Sequence, residues 1–168
     1  MSSTKLNPTR ALTVFPSERN NIPYPNVLAS GTCTGVGGSV LEDSAFDFIT
    51  ETGTNTVYAV NVGDVVYNTT TGNAITITEV VSKHVLNLND TLMNNGDNYV
   101  IYQQGATTGI GNQGCILYLA GTPGSSYTLE FTTIAGDEIN LVGVQLGIFP
   151  VQVKRVKSFN GDKVIALW

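Results

Sequence analysis

Apolar and polar residues alternate with a period of two over much of this chain. Tyr127, Leu129 and Phe131 alternate with Thr128, Glu130 and Thr132, and Ile75 and Ile77 alternate with Thr76 and Thr78. Successive side chains of a strand point to opposite faces, so this period predicts strands with one packed and one polar face. Turn-forming clusters separate the runs: Asn61-Val62-Gly63-Asp64, Thr70-Thr71-Gly72-Asn73, Asn94-Asn95-Gly96-Asp97, Gly121-Thr122-Pro123-Gly124 and Ala135-Gly136-Asp137. Glycine, asparagine and aspartate tolerate the backbone angles of tight turns, which makes these the natural strand ends.

The pattern predicts a first β-module over residues 30–103. Its strands begin at Val40 and continue with Thr56–Val60, Val65–Asn68, Ala74–Val81, His84–Leu88 and Tyr99–Tyr102. Glu42 to Phe48 is expected as a strand margin or a single helical turn capped by Asp43 or Ser44. A Gly-rich linker over 104–115 leads to a second module over 116–168, with strands at Ile116–Leu119, Tyr127–Thr132, Glu138–Val144, Phe149–Val156 and Lys163–Trp168. The last two are expected to form a hairpin about Asn160-Gly161, a pair suited to a two-residue turn. Each module has the strand number and spacing of a small barrel or sandwich.

Residues 1–29 read differently. Pro8, Pro16, Pro23 and Pro25 exclude helix from most of this stretch. It is expected as an extended arm in which Leu12 and Val14 form a short edge strand. Its apolar residues, among them Val14, Phe15, Ile22 and Tyr24, are more than a disordered tail usually carries, and suit an arm lying along a neighbouring subunit. At the other end, Trp168 is the only tryptophan, which predicts a packed rather than frayed terminus. The fold class expected is all-β: two small barrel-like or sandwich-like modules and an extended N-terminal arm.

Composition sharpens this picture. Only 12% of the 168 residues are charged, while 42% are hydrophobic and 18 are Gly. Average domains carry about twice that charge. A surface this poor in charge suits burial in an assembly. The net charge is −5, and only Lys154, Arg155 and Lys157 cluster, so a nucleic-acid partner is not expected. No apolar run reaches the length of a membrane span, and the N-terminal residues lack the apolar core of a signal peptide, so neither membrane insertion nor export is expected.

Few residues suggest chemistry. Gly109-Ile-Gly-Asn-Gln-Gly114 matches the GxGxxG pattern, but a strand-like run follows it where a helix must begin to bind phosphates. His84 is the only histidine, and it lies between two expected strands, where an exposed turn residue is the ordinary outcome. Asp43 and Asp47, with Glu42 adjacent, lack calcium-loop spacing and read as a solvated acidic turn. Cys33 and Cys115 have no CxxC spacing; they could form one disulfide in an oxidising compartment, buried free thiols being the expectation for a protein assembled in a cytosol. Asn68 and Asn89 fit the glycosylation sequon. Tyr99, Tyr102, Tyr118 and Tyr127 are expected in sheet cores or subunit contacts, the alternative being a sugar-binding groove. No catalytic residue, cofactor or metal is assigned.

The C-terminal wording Pro150-Val-Gln-Val-Lys-Arg-Val156, a turn, then Val164-Ile-Ala-Leu-Trp168 resembles small virion structural proteins of tailed bacteriophages, the head decoration or cement type. Gly63-Asp-Val-Val-Tyr-Asn-Thr-Thr-Thr-Gly72 resembles a β-module recurring in them. This resemblance covers about half the chain and brings no catalytic residues. It implies a non-enzymatic protein of the capsid surface, made in the host cytoplasm, that stabilises contacts between major capsid subunits. It also implies self-association, as a homotrimer. The residues expected to touch partners are Val14, Phe15 and Tyr24 in the arm, with Arg155 and Trp168 near the end. A tail, connector or head-fibre base component and a host-surface carbohydrate-binding module are the alternatives.

Overall fold

The computed structural model describes residues 8–52, 55–104 and 114–168. Among them are strands β1 (Ala11–Val14), β2 (Val27–Thr32), β3 (Val40–Glu42), β4 (Ile49–Thr52), β5 (Asn55–Tyr58), β6 (Val65–Asn68) and β7 (Asn73–Ser82). There follow β8 (Val85–Leu88), β9 (Asn98–Tyr102), β10 (Cys115–Ala120), β11 (Tyr127–Thr133), β12 (Glu138–Val144), β13 (Gly147–Phe159) and β14 (Lys163–Leu167). The described residues contain no helix, so the protein is all-β. Two units are present: Arg19–Gly105, and Met1–Glu18 together with Ala106–Trp168. The first is therefore inserted in sequence between β1 and β10 of the second.

The inserted unit is a six-stranded antiparallel sheet of order β2-β9-β6-β7-β8-β3, with the β4–β5 hairpin beside it. The Thr34 N–H donates to the Glu42 carbonyl at 2.7 Å, which joins the chain leaving β2 to β3 and brings the two sheet margins together. Leu41, Phe48, Val60, Val66, Ile77, Leu86, Met93 and Ile101 fill the interior, each no more than 1% exposed. Fully burying side chains of this size contributes roughly 1.5–3 kcal/mol each, which explains why the apolar face of every strand turns inward.

Two turns of the same N-x-G-D sequence fix this unit's frame. Asp64 Oδ2 accepts from the Asn61 N–H at 2.7 Å, and Asp97 Oδ2 from the Asn94 N–H at 2.9 Å. Gly63 and Gly96 take positive φ, 97° and 90°, which a side chain would strain. Each turn then pairs with a crossing strand in the same way. Gly63 and Asp64 exchange two backbone bonds with Ile77, and Gly96 and Asp97 do so with Cys33.

The other unit has sheet order β1-β14-β10-β13-β11-β12. The long β13 pairs with β10 through Gly147–Val153 and with β11 through Val153–Phe159. Beyond β1, the Ser17 N–H donates to the Val156 carbonyl at 2.9 Å, so the sheet curls. Leu12, Val14, Leu117, Leu119, Leu129, Phe131, Val153, Val156, Val164 and Ala166 are buried.

Three expectations are corrected. The C-terminal hairpin does not form, because β10 lies between β13 and β14. Gly161 has no positive φ, and Asn160 instead bonds to Thr128 of β11 through its Oδ1 at 2.7 Å. The helical turn over Glu42–Phe48 is a tight turn in which Asp43 Oδ1 accepts from the Ala45 N–H at 2.8 Å. Residues 8–29, the described part of the expected arm, do not stand apart: they supply β1, including the expected Leu12 and Val14, to one sheet, and part of β2 to the other. Most of the expected linker, 105–113, and so most of the GxGxxG match, lies outside the described residues.

Candidate assembly surface

One sheet face of the unit containing β10 carries an exposed apolar patch, bordered by Lys163 opposite Ala120. Thr13, Ile165, Tyr118 and Ile148 are successive cross-strand partners on β1, β14, β10 and β13. Ala11, Leu167 and Ile116 make a second row beside them. Neither row contains a charge. Tyr118 is 42% and Ile148 58% exposed, although the residues alternating with Tyr118, Leu117 and Leu119, are buried. The cause is local: β10 reads Cys-Ile-Leu-Tyr-Leu-Ala, apolar on both faces, as strands covered on both sides do. Contiguous exposed apolar surface marks contact with another molecule more often than isolated residues do.

The sequence-derived contact residues are dispersed. Val14 is 4% exposed and pairs with Val164, so its side chain belongs to the core of its own unit and is unavailable to a neighbour. Phe15 follows it and is half-buried. Trp168 lies at the opposite end of the β1–β14 pair, exchanging backbone bonds with Arg10, and its ring is half-buried. Arg155 Nη1 donates to the Glu18 carbonyl at 3.2 Å. Tyr24 belongs to the other unit, its N–H bonded to the Gln103 carbonyl at 3.0 Å. Of the exposed row, Tyr118 was among the aromatics expected in cores or subunit contacts, whereas Ile148 and Ile165 carried no such signal. The unbroken apolar run of β10 was the available clue.

The polar groups are engaged structurally. Asp43 is buried, and its Oδ2 accepts from the Tyr99 hydroxyl at 2.8 Å. Burial, then this carboxylate, push the Tyr99 phenol well above its ordinary range. His84 Nδ1 lies 2.9 Å from the Phe46 carbonyl, and Asp47 forms an ion pair with Lys83 at 2.9 Å. Asp97 also accepts from the Asn68 amide at 2.7 Å. That bond, aided by the Asn94 N–H, holds the Asp97 carboxyl below its usual value. Asn68 is fully buried, so its sequon is not presented to solvent. Lys157 Nζ sits among Glu138, Glu18 and Glu130 at 3.0, 3.7 and 3.7 Å, and its ammonium is held above the ordinary value, chiefly by the Glu138 hydrogen bond.

Cys33 and Cys115 are both free and buried, one in each unit. Burial pushes the Cys115 thiol up to about 12, far from the thiolate a nucleophile needs. Tyr99 and Tyr127 are buried, Tyr102 packs edge-on against Tyr67, and Tyr118 alone of the four stands open to solvent. Among the described residues no group of three or more His, Cys, Asp or Glu side chains is placed to hold a metal ion, and no helix is long and apolar enough to cross a membrane. Comparison with protein-family models, curated proteins and solved structures finds no match to this chain.

Proposed function

We propose that this chain is a non-enzymatic virion structural protein of the capsid decoration or cement type, binding between major capsid subunits. The observation that carries the reading is the apolar patch built from Ile116, Tyr118, Ile148, Ile165 and Leu167, two adjacent rows without a charge. Burying such a face against a partner gives roughly 25 cal/mol per Å² before the costs of association. The low charge of the whole chain and the phage-like wording of its C-terminal strands support the same reading. The partner contacts move from Val14 to these sheet residues.

Cryo-electron microscopy of the particle encoding this protein tests the proposal. Many copies spread over the shell, with the β10 face against capsid subunits, is the expected result. A few copies at one vertex or along the tail would assign it to the connector or tail. Absence from the particle, together with specific glycan binding by the isolated protein, would replace the proposal with a carbohydrate-binding module.

A further inference from the structure

The margin of the sheet at β12 is incomplete in a specific way. Ile139 and Leu141 are the cross-strand partners of Phe131 and Leu129, which are 1% and 0% exposed. Yet Ile139 and Leu141 themselves remain partly exposed, and Val142 on the opposite face is 81% exposed. The apolar layer that begins on β11 thus runs past the last strand of the sheet among the described residues. In the sheet order β12 has a neighbour, β11, on one side only.

Edge strands are normally protected by charge, proline or a bulge. The segment Glu138-Ile-Asn-Leu-Val142 has no proline, and its one charge is already held by Lys157 at 3.0 Å. A bulge does occur, at Gly143 with φ 77°, where the register against β11 slips. It ends the straight edge after Val142 and leaves five residues open to pairing.

We propose that this edge binds a second copy of the same chain, β12 against β12, antiparallel about a two-fold axis at Asn140. The sequence is self-complementary in that register. Ile139 of each copy faces Leu141 of the other on the side where both are half-covered, and directly opposed residues of an antiparallel pair share a face. Glu138 faces Val142 rather than its own counterpart, so like charges never oppose, although each chain carries −5. A two-fold contact uses the same patch on both copies and closes after two. The proposal is independent of the virion reading and uses a different surface from the β10 face.

Cross-linking on the full chain tests it. In Asn140→Cys the two new thiols meet at the axis, at a Cα separation of about 4.5–5.5 Å that suits a disulfide. Under mild oxidation Asn140→Cys is expected to give a covalent dimer at least tenfold faster than Glu138→Cys or Val142→Cys, while the buried Cys33 and Cys115 stay reduced. Sedimentation of the unmodified protein at tens of micromolar is expected to show a dimer. Ile139→Lys and Leu141→Glu are each expected to shift it toward monomer. The double variant is expected to restore pairing, since the introduced ammonium of one copy then faces the introduced carboxylate of the other. Circular dichroism separates misfolding from lost association, and the cross-linking variants leave the half-buried side chains intact. A folded protein that stays monomeric, or equal cross-linking rates at 138, 140 and 142, overturns the proposal.

Discussion

Asp64 and Asp97 occupy equivalent places at opposite ends of the antiparallel β6–β9 pair. Each closes an N-x-G-D turn with its Oδ2, and each reaches across to the other strand. Asp64 Oδ1 takes the Gln104 N–H at 3.0 Å just beyond β9, and Asp97 Oδ2 takes the Asn68 amide at the end of β6. One local device is thus used twice, about an approximate two-fold within one unit.

Removing either aspartate leaves its donors without their acceptor. Asp64→Ala leaves the part-buried Asn61 and Gln104 N–H groups without their acceptor, and each lost bond costs about 0.5–1.5 kcal/mol. Urea unfolding of the variant is expected to show a loss of about 1–3 kcal/mol; a loss under about 0.5 kcal/mol would contradict the role assigned to the turn.

Acid titration reads out Asp97. Its folded carboxyl lies below the ordinary 3.8, so its contribution is present above 3.8 and disappears as pH falls through the depressed value. The urea midpoint of the native protein should therefore drop as pH is lowered from about 4.5 toward about 2. In Asp97→Asn that drop should be shallower, and identical slopes would rule the assignment out.

Gly31 is required by a close approach. A Cβ there would lie 2.2 Å from Asp43 Oδ2 and 2.9 Å from the Tyr99 hydroxyl, both buried. Gly31→Ala should be more harmful than Tyr99→Phe, which removes one donor from Asp43 at a cost of about 1–3 kcal/mol. Thermal melting of the two variants side by side ranks them.

Alkaline pH reads out Lys157. Its raised value means that its ion pairs persist below the ordinary 10.5 and are lost as pH rises through the higher folded value. Tyr99, Tyr102 and Cys115 are also raised and also favour the folded state less as pH climbs. The difference between native protein and Lys157→Gln isolates the lysine. Melting temperatures should differ at neutral pH and draw together as pH rises past the ordinary lysine value.

Thr132 offers a stabilising substitution. It is 4% exposed, and its hydroxyl has no hydrogen-bond partner among the described residues. Thr132→Val keeps the shape and removes the unpaired group, and is expected to raise stability by about 1 kcal/mol in chemical denaturation.

Strand identity was legible where alternation was clean, as in Tyr127–Thr132, or where turn residues bracketed a run, as in Val65–Asn68. Pairing was less legible. Asn160-Gly161 has the composition of a hairpin turn, but hairpin assignment assumes that neighbours in sequence are neighbours in space. Here the apolar run of β10 bonds on both sides and separates β13 from β14. The proline-rich opening segment concealed β2, and Ile49–Thr52 went unassigned because its pattern is too short to register. The candidate surface was hidden for a related reason. Tyr118 looks like any core aromatic until its neighbours Ile148 and Ile165 are brought beside it from 30 and 47 residues later.

The pairing of β1 with β14 sets an order of events on the ribosome. The first strand made can find its place only when the last has emerged, about 150 residues later. At ordinary elongation rates of about 5–20 residues per second, that wait is on the order of ten seconds or more. The inserted unit has all its strands well before then. Nascent chains stalled far enough beyond Gly105 for Arg19–Gly105 to have left the ribosome, but before Lys163, should hold that unit finished while Ala11–Val14 remains protease-sensitive, its shelter still unsynthesised.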